Sequence, residues 1–507
     1  MPHPTVLRLR DITKRFGPLI ANDAICLDLA EGEVLALLGE NGAGKTTLMN
    51  ILFGHYVADA GTVEVFGQEL PPGKPRAAIE AGVGMVHQHF TLADNLTVLE
   101  NVVLGTERLF TPRQDLKGAA RRLRELGREF GLEVDPRARV RDLSVGERQR
   151  VEILKVLYRN ARILILDEPT AVLTPPEVDS LFLTLRRLVG RGLAVVFISH
   201  KLAEVMAISD RVAVLRGGRV VHETGIDETS REALAEAMVG REIPKPKRVP
   251  LNPGKPLLGL DGVTVRGEHG KVHLQEASLD LREHEILGIA GVSGNGQAQL
   301  ADLLCGLLGP DEGRMTLADG ALLKPSPRAM VRHGIGRIVE DRNGTGLIGD
   351  MTITENLASE SYREKRFSRF GLLRFAALRE HAGRLVREFD VRCPGISAPV
   401  RKLSGGNMQK LVLARVLARN PSVILAHQPT WGLDVGAASY VHSQLLAARE
   451  RGAATLLISE DLDELLQLSD RIQVIYHGRL SPPLDAGEVT LQQLGLLMSG
   501  QDFAAAG

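Results

Sequence analysis

Cysteine is scarce in this chain: Cys26, Cys305 and Cys393 are the only three among 507 residues, and no two of them form a CxxC pair. That spacing excludes a disulfide framework and a cysteine-built zinc site, and a reducing compartment is expected. Net charge is also absent, with 62 basic residues against 62 acidic ones, so nothing in the balance suggests a nucleic acid as principal partner. No apolar run approaches the roughly 18 residues needed to span a bilayer, and the Met1 to Arg10 start carries no signal-peptide core. A protein that is soluble by itself is expected. Its length exceeds one ordinary core, since about 150 residues per domain allows two to four domains.

What the chain does carry is one phosphate-binding pattern written twice. Gly39-Glu40-Asn41-Gly42-Ala43-Gly44-Lys45-Thr46 fits GxxxxGK[ST], and Gly291-Val292-Ser293-Gly294-Asn295-Gly296-Gln297-Ala298 keeps the glycines without the lysine and threonine. In the first copy the loop amides form an anion nest, Lys45 sets a charge on the β- and γ-phosphates, and the Thr46 hydroxyl ligates magnesium. Gln297 and Ala298 supply neither charge nor ligand. The apolar stretch Glu33 to Leu38 predicts a buried strand entering the loop, and Thr47 to Leu52 predicts a helix leaving it.

The rest of the chain repeats in the same way. Ile163 to Leu166 before Asp167, and Ala194 to Ile198 before Ser199-His200, read as strands ending in polar residues, while Arg121 to Glu133 has the spacing of a solvated amphipathic helix. Glu460, Asp461, Asp463 and Glu464 read as a solvated acidic loop and helix start. Residues 244–256, from Pro244 to Pro256, form a stiff proline-rich connector. The predicted domains are therefore 1–243, with a complete set of motifs, and 257–507, with a degenerate phosphate loop.

After the first loop come Gln88, then Leu143-Ser144-Val145-Gly146-Glu147, then Asp167-Glu168-Pro169-Thr170, then Ser199-His200. The second half answers with Glu340, then Leu403-Ser404-Gly405-Gly406-Asn407, then His427-Gln428-Pro429-Thr430, then Ser459-Glu460. Lys45 to Gln297 and Gln88 to Glu340 are steps of 252, whereas Ser144 to Ser404, Asp167 to His427 and His200 to Glu460 are steps of 260. This order resembles that of ATP-binding-cassette proteins over nearly the whole chain.

The resemblance implies an α/β fold of two tandem cassettes, each a RecA-like core with a β-rich edge subdomain and a helical subdomain. It further implies head-to-tail packing, in which each ATP lies between the phosphate loop of one cassette and the LSGG-type signature of the other. One site then combines Gly39, Glu40, Asn41, Gly42, Ala43, Gly44, Lys45, Thr46, Thr47, Gln88, Asp167, Glu168 and His200 with Ser404, Gly405, Gly406 and Asn407, and every motif is intact. The other combines Gln297, Ala298, Glu340, His427, Gln428 and Glu460 with Ser144, Val145 and Gly146, and nearly every member is altered. The losses sort by composite site and not by half.

Within the intact set, Thr46, Gln88 and Asp167 are the expected magnesium ligands and Glu168 the general base or water-orienting group, with Lys45 and His200 on the γ-phosphate. Ser404 and the Gly405 and Gly406 amides are expected to clamp the same phosphate at the start of a helix running from Met408 onward. Phe16 reads either as an adenine platform or as a core aromatic.

A fused pair without membrane spans resembles the ATPase subunit of a bacterial importer of the simple-sugar and nucleoside group. Met85-Val86-His87-Gln88-His89-Phe90, Glu340-Asp341-Arg342 and Leu403-Ser404-Gly405-Gly406-Asn407 carry this likeness, and His427-Gln428 with Ser459-Glu460-Asp461-Leu462-Asp463-Glu464 resembles the nucleoside branch. The likeness implies ATP and Mg2+ as cofactors, separate permease subunits and, through them, a solute-binding protein as partners, and a peripheral place on the cytoplasmic face of the inner membrane. The relays to the permease would be Gln88 with Phe90 to Asn95, and Glu340 to Gly349. Simple-sugar import remains an alternative, as do a soluble twin-cassette translation factor and a nucleotide-gated scaffold with negligible turnover.

Overall fold

The computed structural model describes residues 4–87, 90–106, 115–170, 173, 175–199, 201–240, 246–267, 270–292, 294–318, 320–321 and 325–500. The chain divides into two compact units, Met1–Ile243 and Pro244–Gly507.

In the first unit the strand Val34–Gly39 is buried at every position, because it lies in the middle of a sheet covered on both faces. It runs parallel to Arg211–Arg216 on one side and Ala194–Ile198 on the other, followed outward by Ile163–Asp167 and Val83–Val86. Arg219–Gly225 adds one antiparallel edge strand. The strand entering the phosphate loop is thus separated from the one ending at Asp167 by the one ending at Ile198. All three reach the same edge of the sheet, where ligands of open parallel sheets bind.

A second, antiparallel sheet of Leu19–Ala30, Thr5–Phe16, Ala60–Val65 and Gln68–Glu69 forms the β-rich edge. Its Leu9, Ile12 and Ile25 share one core with Leu35, Leu48 and Ile165. The helix after the loop is Lys45–Phe53, two residues earlier than expected. The helical part comprises Val98–Val103, Leu116–Phe130 and Val145–Tyr158. The expected Arg121 to Glu133 helix instead ends at Phe130, because Gly131 adopts φ 71 and closes the last turn by its own amide.

The second unit repeats this plan. Ile286–Ala290, Ala454–Ser459, Val423–His427 and Ile335–Ile338 are parallel, and Arg471–Tyr476 continues the sheet on the other side. Pro256–Arg266, Val272–Arg282 and Glu312–Leu317 make its antiparallel sheet. Ile353–Ala358, Phe375–Glu388 and Gly405–Leu417 make its helical part. Its relay is three residues longer, since Gln88 to Glu340 is a step of 252 but Asn101 to Asn356 one of 255. The π-helical turn Arg342–Gly346 lies within this longer stretch.

The proline-rich connector belongs structurally to this second unit in its described part. Arg248 donates to the Ser469 carbonyl at 2.5 Å and the Asp470 carboxylate at 3.1 Å, and the fully buried Arg449 donates to the Val249 carbonyl at 2.9 Å. Arg449 also grips Asp470 with two hydrogen bonds of 2.7 and 2.8 Å, so one buried bidentate pair anchors connector and sheet together.

Candidate functional site

The phosphate loop of the first unit is shaped by glycines that no other residue replaces cheaply. Gly44 has φ 105, and a Cβ there would lie 2.3 Å from the Ala21 carbonyl oxygen and 2.6 Å from Asn22 Nδ2. Lys45 is buried and folds back along the loop, donating from Nζ to the Gly39 carbonyl at 2.6 Å and the Glu40 carbonyl at 3.1 Å. Burial lowers its pKa, while the neighbouring carboxylates of Glu168, Asp167 and Glu40 hold it up. Thr46 is exposed at the first turn of the helix, Thr47 is half-buried, and Ala43 is buried.

Asp167 ends its strand almost fully buried, and its pKa is raised by burial and by Glu168, with Lys45 opposing. Glu168 takes φ 47, a left-handed conformation that is costly for a side-chain-bearing residue, and its amide is tied to the Ile198 carbonyl at 2.9 Å. Two adjacent carboxylates beside a single buried ammonium leave negative charge that suits a divalent cation, and the exposed Thr46 hydroxyl is the right hard oxygen donor for one. The donor set therefore fits Mg2+. Gln88 and His200 lie outside the described residues.

A buried carboxylate that the motifs did not reveal fixes the two loops flanking Glu168. Glu204 accepts from Thr170 Oγ1 at 2.6 Å and from Ser199 Oγ at 3.0 Å. The second unit repeats it with Glu464, which accepts from Ser459 at 2.6 Å, Thr430 at 2.9 Å and His442 at 2.8 Å. Glu464 is thus a core residue and not part of a solvated acidic loop, and Asp461 caps the helix Leu462–Leu468 by accepting from the Asp463 and Glu464 amides. The repeat at a step of 260 was the signal available in the sequence.

The degenerate loop has closed on itself. Gln297 is buried, donates to the Val292 carbonyl at 2.8 Å, and accepts from the Asn295 amide at 3.1 Å, so it occupies a loop N–H that an anion nest would offer. Gln428 keeps the left-handed backbone, φ 48, and the bond to the strand beside it, Ile458, at 2.8 Å, but without a carboxylate. His427 stands 3.7 Å from Glu340, and burial lowers its pKa while Glu340 and Asp302 raise it.

The two signatures differ more than their letters suggest. Ser144 caps its own helix with a reciprocal Glu147 box, and a Cβ on Gly146 would lie 2.3 Å from the Glu177 carboxylate. The other signature helix begins at Gly405 and not at Met408, with Ser404 at its cap position and no side chain capping its amides. Ser404 Oγ accepts instead from Asn407 Nδ2 at 2.8 Å, while Asn407 Oδ1 takes the Arg392 amide at 2.8 Å. Ala437 stands beside Gly406 where Glu177 stands beside Gly146, and the Arg342 guanidinium lies 3.0 Å from the Cβ position of Gly405. Arg342 is held there by the Trp431 carbonyl at 2.7 Å and the Gly432 carbonyl at 3.3 Å. One signature is self-capped with the Glu177 carboxylate against its glycine, and the other is uncapped with the Arg342 guanidinium close to Gly405 and the Asp434 carboxylate 4.0 Å from the Cβ position of Gly406. Glu177 belongs to no motif and only the contacts expose it, while Arg342 stands in the Glu340-Asp341-Arg342 segment, whose place beside the signature only the structure shows.

Phe16 is 44% exposed, with its edge toward Tyr56 at 5.8 Å, so it is not a core aromatic.

The family model described as ABC transporter matches residues 23–171 and again 274–431. A nucleoside import ATP-binding protein of Lactococcus lactis subsp. cremoris is 43% identical over 99% of both chains. A guanosine import ATP-binding protein of Bacillus subtilis is 44% identical over 99% of both, and a glucose import ATP-binding protein of Haloferax volcanii is 43% identical over 100% of this chain and 98% of its own. Among solved structures, one titled RNase-L Inhibitor covers 94% of this chain and 90% of its own with TM-score 0.62, at 21% identity, a likeness of fold alone. With both cassette matches in one chain, and relatives above 40% identity from end to end, this protein belongs to the ABC transporter family as a fusion of two cassettes.

Proposed function

We propose that the chain is the ATP-hydrolysing subunit of an importer, with its cassettes in 1–243 and 257–507 and one intact set of motifs divided between them. The observation that carries this reading is the sorting of intact features: the first unit holds Lys45, Asp167 and Glu168, and the second holds the uncapped, cation-flanked signature at Ser404 to Asn407. Glu168, fixed at the strand end by Ile198, orients the attacking water and takes its proton. Lys45 leaves the loop carbonyls for the phosphates. Ser404 and the Gly405 and Gly406 amides receive the γ-phosphate at a helix N-terminus, with Arg342 adding positive charge. Mg2+ would be held by Thr46, Asp167 and Gln88, and would neutralise the charge developing on the phosphates. His200 is assigned to the γ-phosphate, and exposed Phe16 to stacking on adenine.

The paired helical parts would act on permease subunits at the cytoplasmic face of the membrane, with a solute-binding protein delivering cargo from the other side. Among the described residues no helix is long and apolar enough to cross a membrane. Nucleosides are the proposed cargo: two relatives spanning this chain are named for nucleoside or guanosine import. A sugar is the second reading, favoured by the glucose import relative at 43% identity. Uptake of labelled nucleosides and sugars by cells with and without the gene separates the two. Glu168→Gln is expected to abolish ATP turnover while Gln428→Glu leaves it near wild type. Unchanged turnover in Glu168→Gln together with altered turnover in Gln428→Glu would mean that the working site is wrongly assigned.

A further inference from the structure

The helical part of the second unit carries a hairpin whose exposed surface does nothing for the core. Between the helices Ile353–Ala358 and Phe375–Glu388, the strands Ser368–Arg369 and Leu372–Leu373 pair antiparallel across a two-residue turn of Phe370 and Gly371. The second unit has extra chain here, because Asn101 to Asn356 is a step of 255 and Phe130 to Phe389 one of 259. The base is firmly built. Phe367 is buried with Ala358 and Leu378 in a small core of its own, and the Arg374 amide donates to the Phe367 carbonyl at 2.8 Å.

The tip is the reverse of a folding-driven sequence. Phe370 is 92% exposed, Leu372 75% and Phe375 62%. Phe370 also has φ 52, and Gly371 φ 80. A two-residue turn with both central residues at positive φ prefers Asn-Gly, and a phenylalanine there costs conformational energy. An aromatic in the least favourable backbone position, and in the most exposed one, gains from the fold only an exposed Arg369 guanidinium 5.3 Å from its ring centroid. Around it stand exposed Arg363, Lys365, Arg366, Arg369 and Arg374, against the single carboxylate of Glu364, which Arg366 engages at 2.7 Å.

We propose that this hairpin is a docking surface for an anionic lipid bilayer, with Phe370, Leu372 and Phe375 entering the headgroup boundary and the cations pairing with lipid phosphates. The charge excess and the aromatic tip are complementary to such a surface: polybasic clusters are drawn to anionic leaflets, and aromatic rings settle at the interface. The proposal rests on the importer reading only for its setting, since the hairpin springs from the helical part assigned to the permease-facing side.

The test is flotation of the purified full chain with vesicles of phosphatidylcholine alone or phosphatidylcholine mixed with phosphatidylglycerol. Association with the mixed vesicles only, reversed by high salt, is expected. Phe370→Asn should lower that partition about tenfold, and Arg369→Gln about fivefold, with basal ATPase activity unchanged and the melting temperature of Phe370→Asn equal or higher. Failure of the wild-type chain to float with mixed vesicles, or equal flotation of Phe370→Asn, overturns the proposal. So does loss of permease binding by Phe370→Asn in detergent, where no bilayer exists, because the hairpin would then contact protein. A chain that floats as expected but neither hydrolyses ATP nor supports uptake would refute the importer reading and leave this one standing.

Discussion

Gly42 and Gly44 look equivalent in the sequence, and the structure predicts that alanine at the two positions has very different consequences. Gly42 has φ 84 with nothing within 4 Å of its would-be Cβ, so Gly42→Ala meets only the backbone penalty, about 1 kcal/mol. Gly44→Ala meets a similar or larger penalty at φ 105, and its methyl would stand 2.3 Å from a backbone carbonyl oxygen that belongs to the antiparallel sheet. Forcing that approach adds about 1–3 kcal/mol, for a total of about 3 kcal/mol. A unit of this size loses about 2–4 °C of melting temperature per kcal/mol, so the first unit should melt about 2–4 °C lower in Gly42→Ala and about 6–12 °C lower in Gly44→Ala. Calorimetry of the full chain, following the transition that ATP shifts upward in the wild type, gives both numbers. Saturating ATP should restore little in Gly44→Ala, because the displaced loop also carries Lys45. If Gly44→Ala melts within 2 °C (roughly 1 kcal/mol) of wild type, or if Gly42→Ala is equally damaging, the steric reasoning fails.

Three further outcomes follow from the same geometry. Glu464→Ala leaves two hydroxyls and an imidazole without their shared acceptor, and should cost the second unit about 3 kcal/mol, measured by urea unfolding, with Glu464→Gln retaining part of it. Burial pushes Tyr440 up to about 12, with Asp390 and Glu388 adding to the effect. Its neutral form is favoured in the fold, so that contribution to stability is complete below the ordinary tyrosine pKa near 10 and is lost as pH rises through about 12. Spectrophotometric titration should show one phenol ionising at about 12, which Tyr440→Phe removes. Gln297→Lys combined with Ala298→Thr removes the side chain that occupies the Asn295 amide and adds a phosphate charge, so equilibrium dialysis with labelled ATP should show increased nucleotide binding per chain. Unchanged binding would mean the second loop is closed by more than Gln297.

The strands flanking the loops were legible because buried parallel strands read as short apolar runs, and Ala194–Ile198 is found at the expected bounds. Helix ends were less legible. Gly131 ends one helix early through its left-handed backbone, and Ser404 starts another early because glycines in a first turn look like loop to a pattern reader.

The sequence by itself determined the tandem cassettes, the family and the fact that one phosphate loop had lost its lysine and threonine. Those are matters of residue type and spacing, and a covalent chain states them directly. Only the tertiary structure decided what the losses amount to. It showed that Gln297 closes its loop from within, that Glu464 is a buried acceptor, and that Glu177 faces one signature while Arg342 faces the other. Each of these depends on a partner distant in the chain or on an orientation set by packing, and the free energy of a side chain is fixed by what surrounds it.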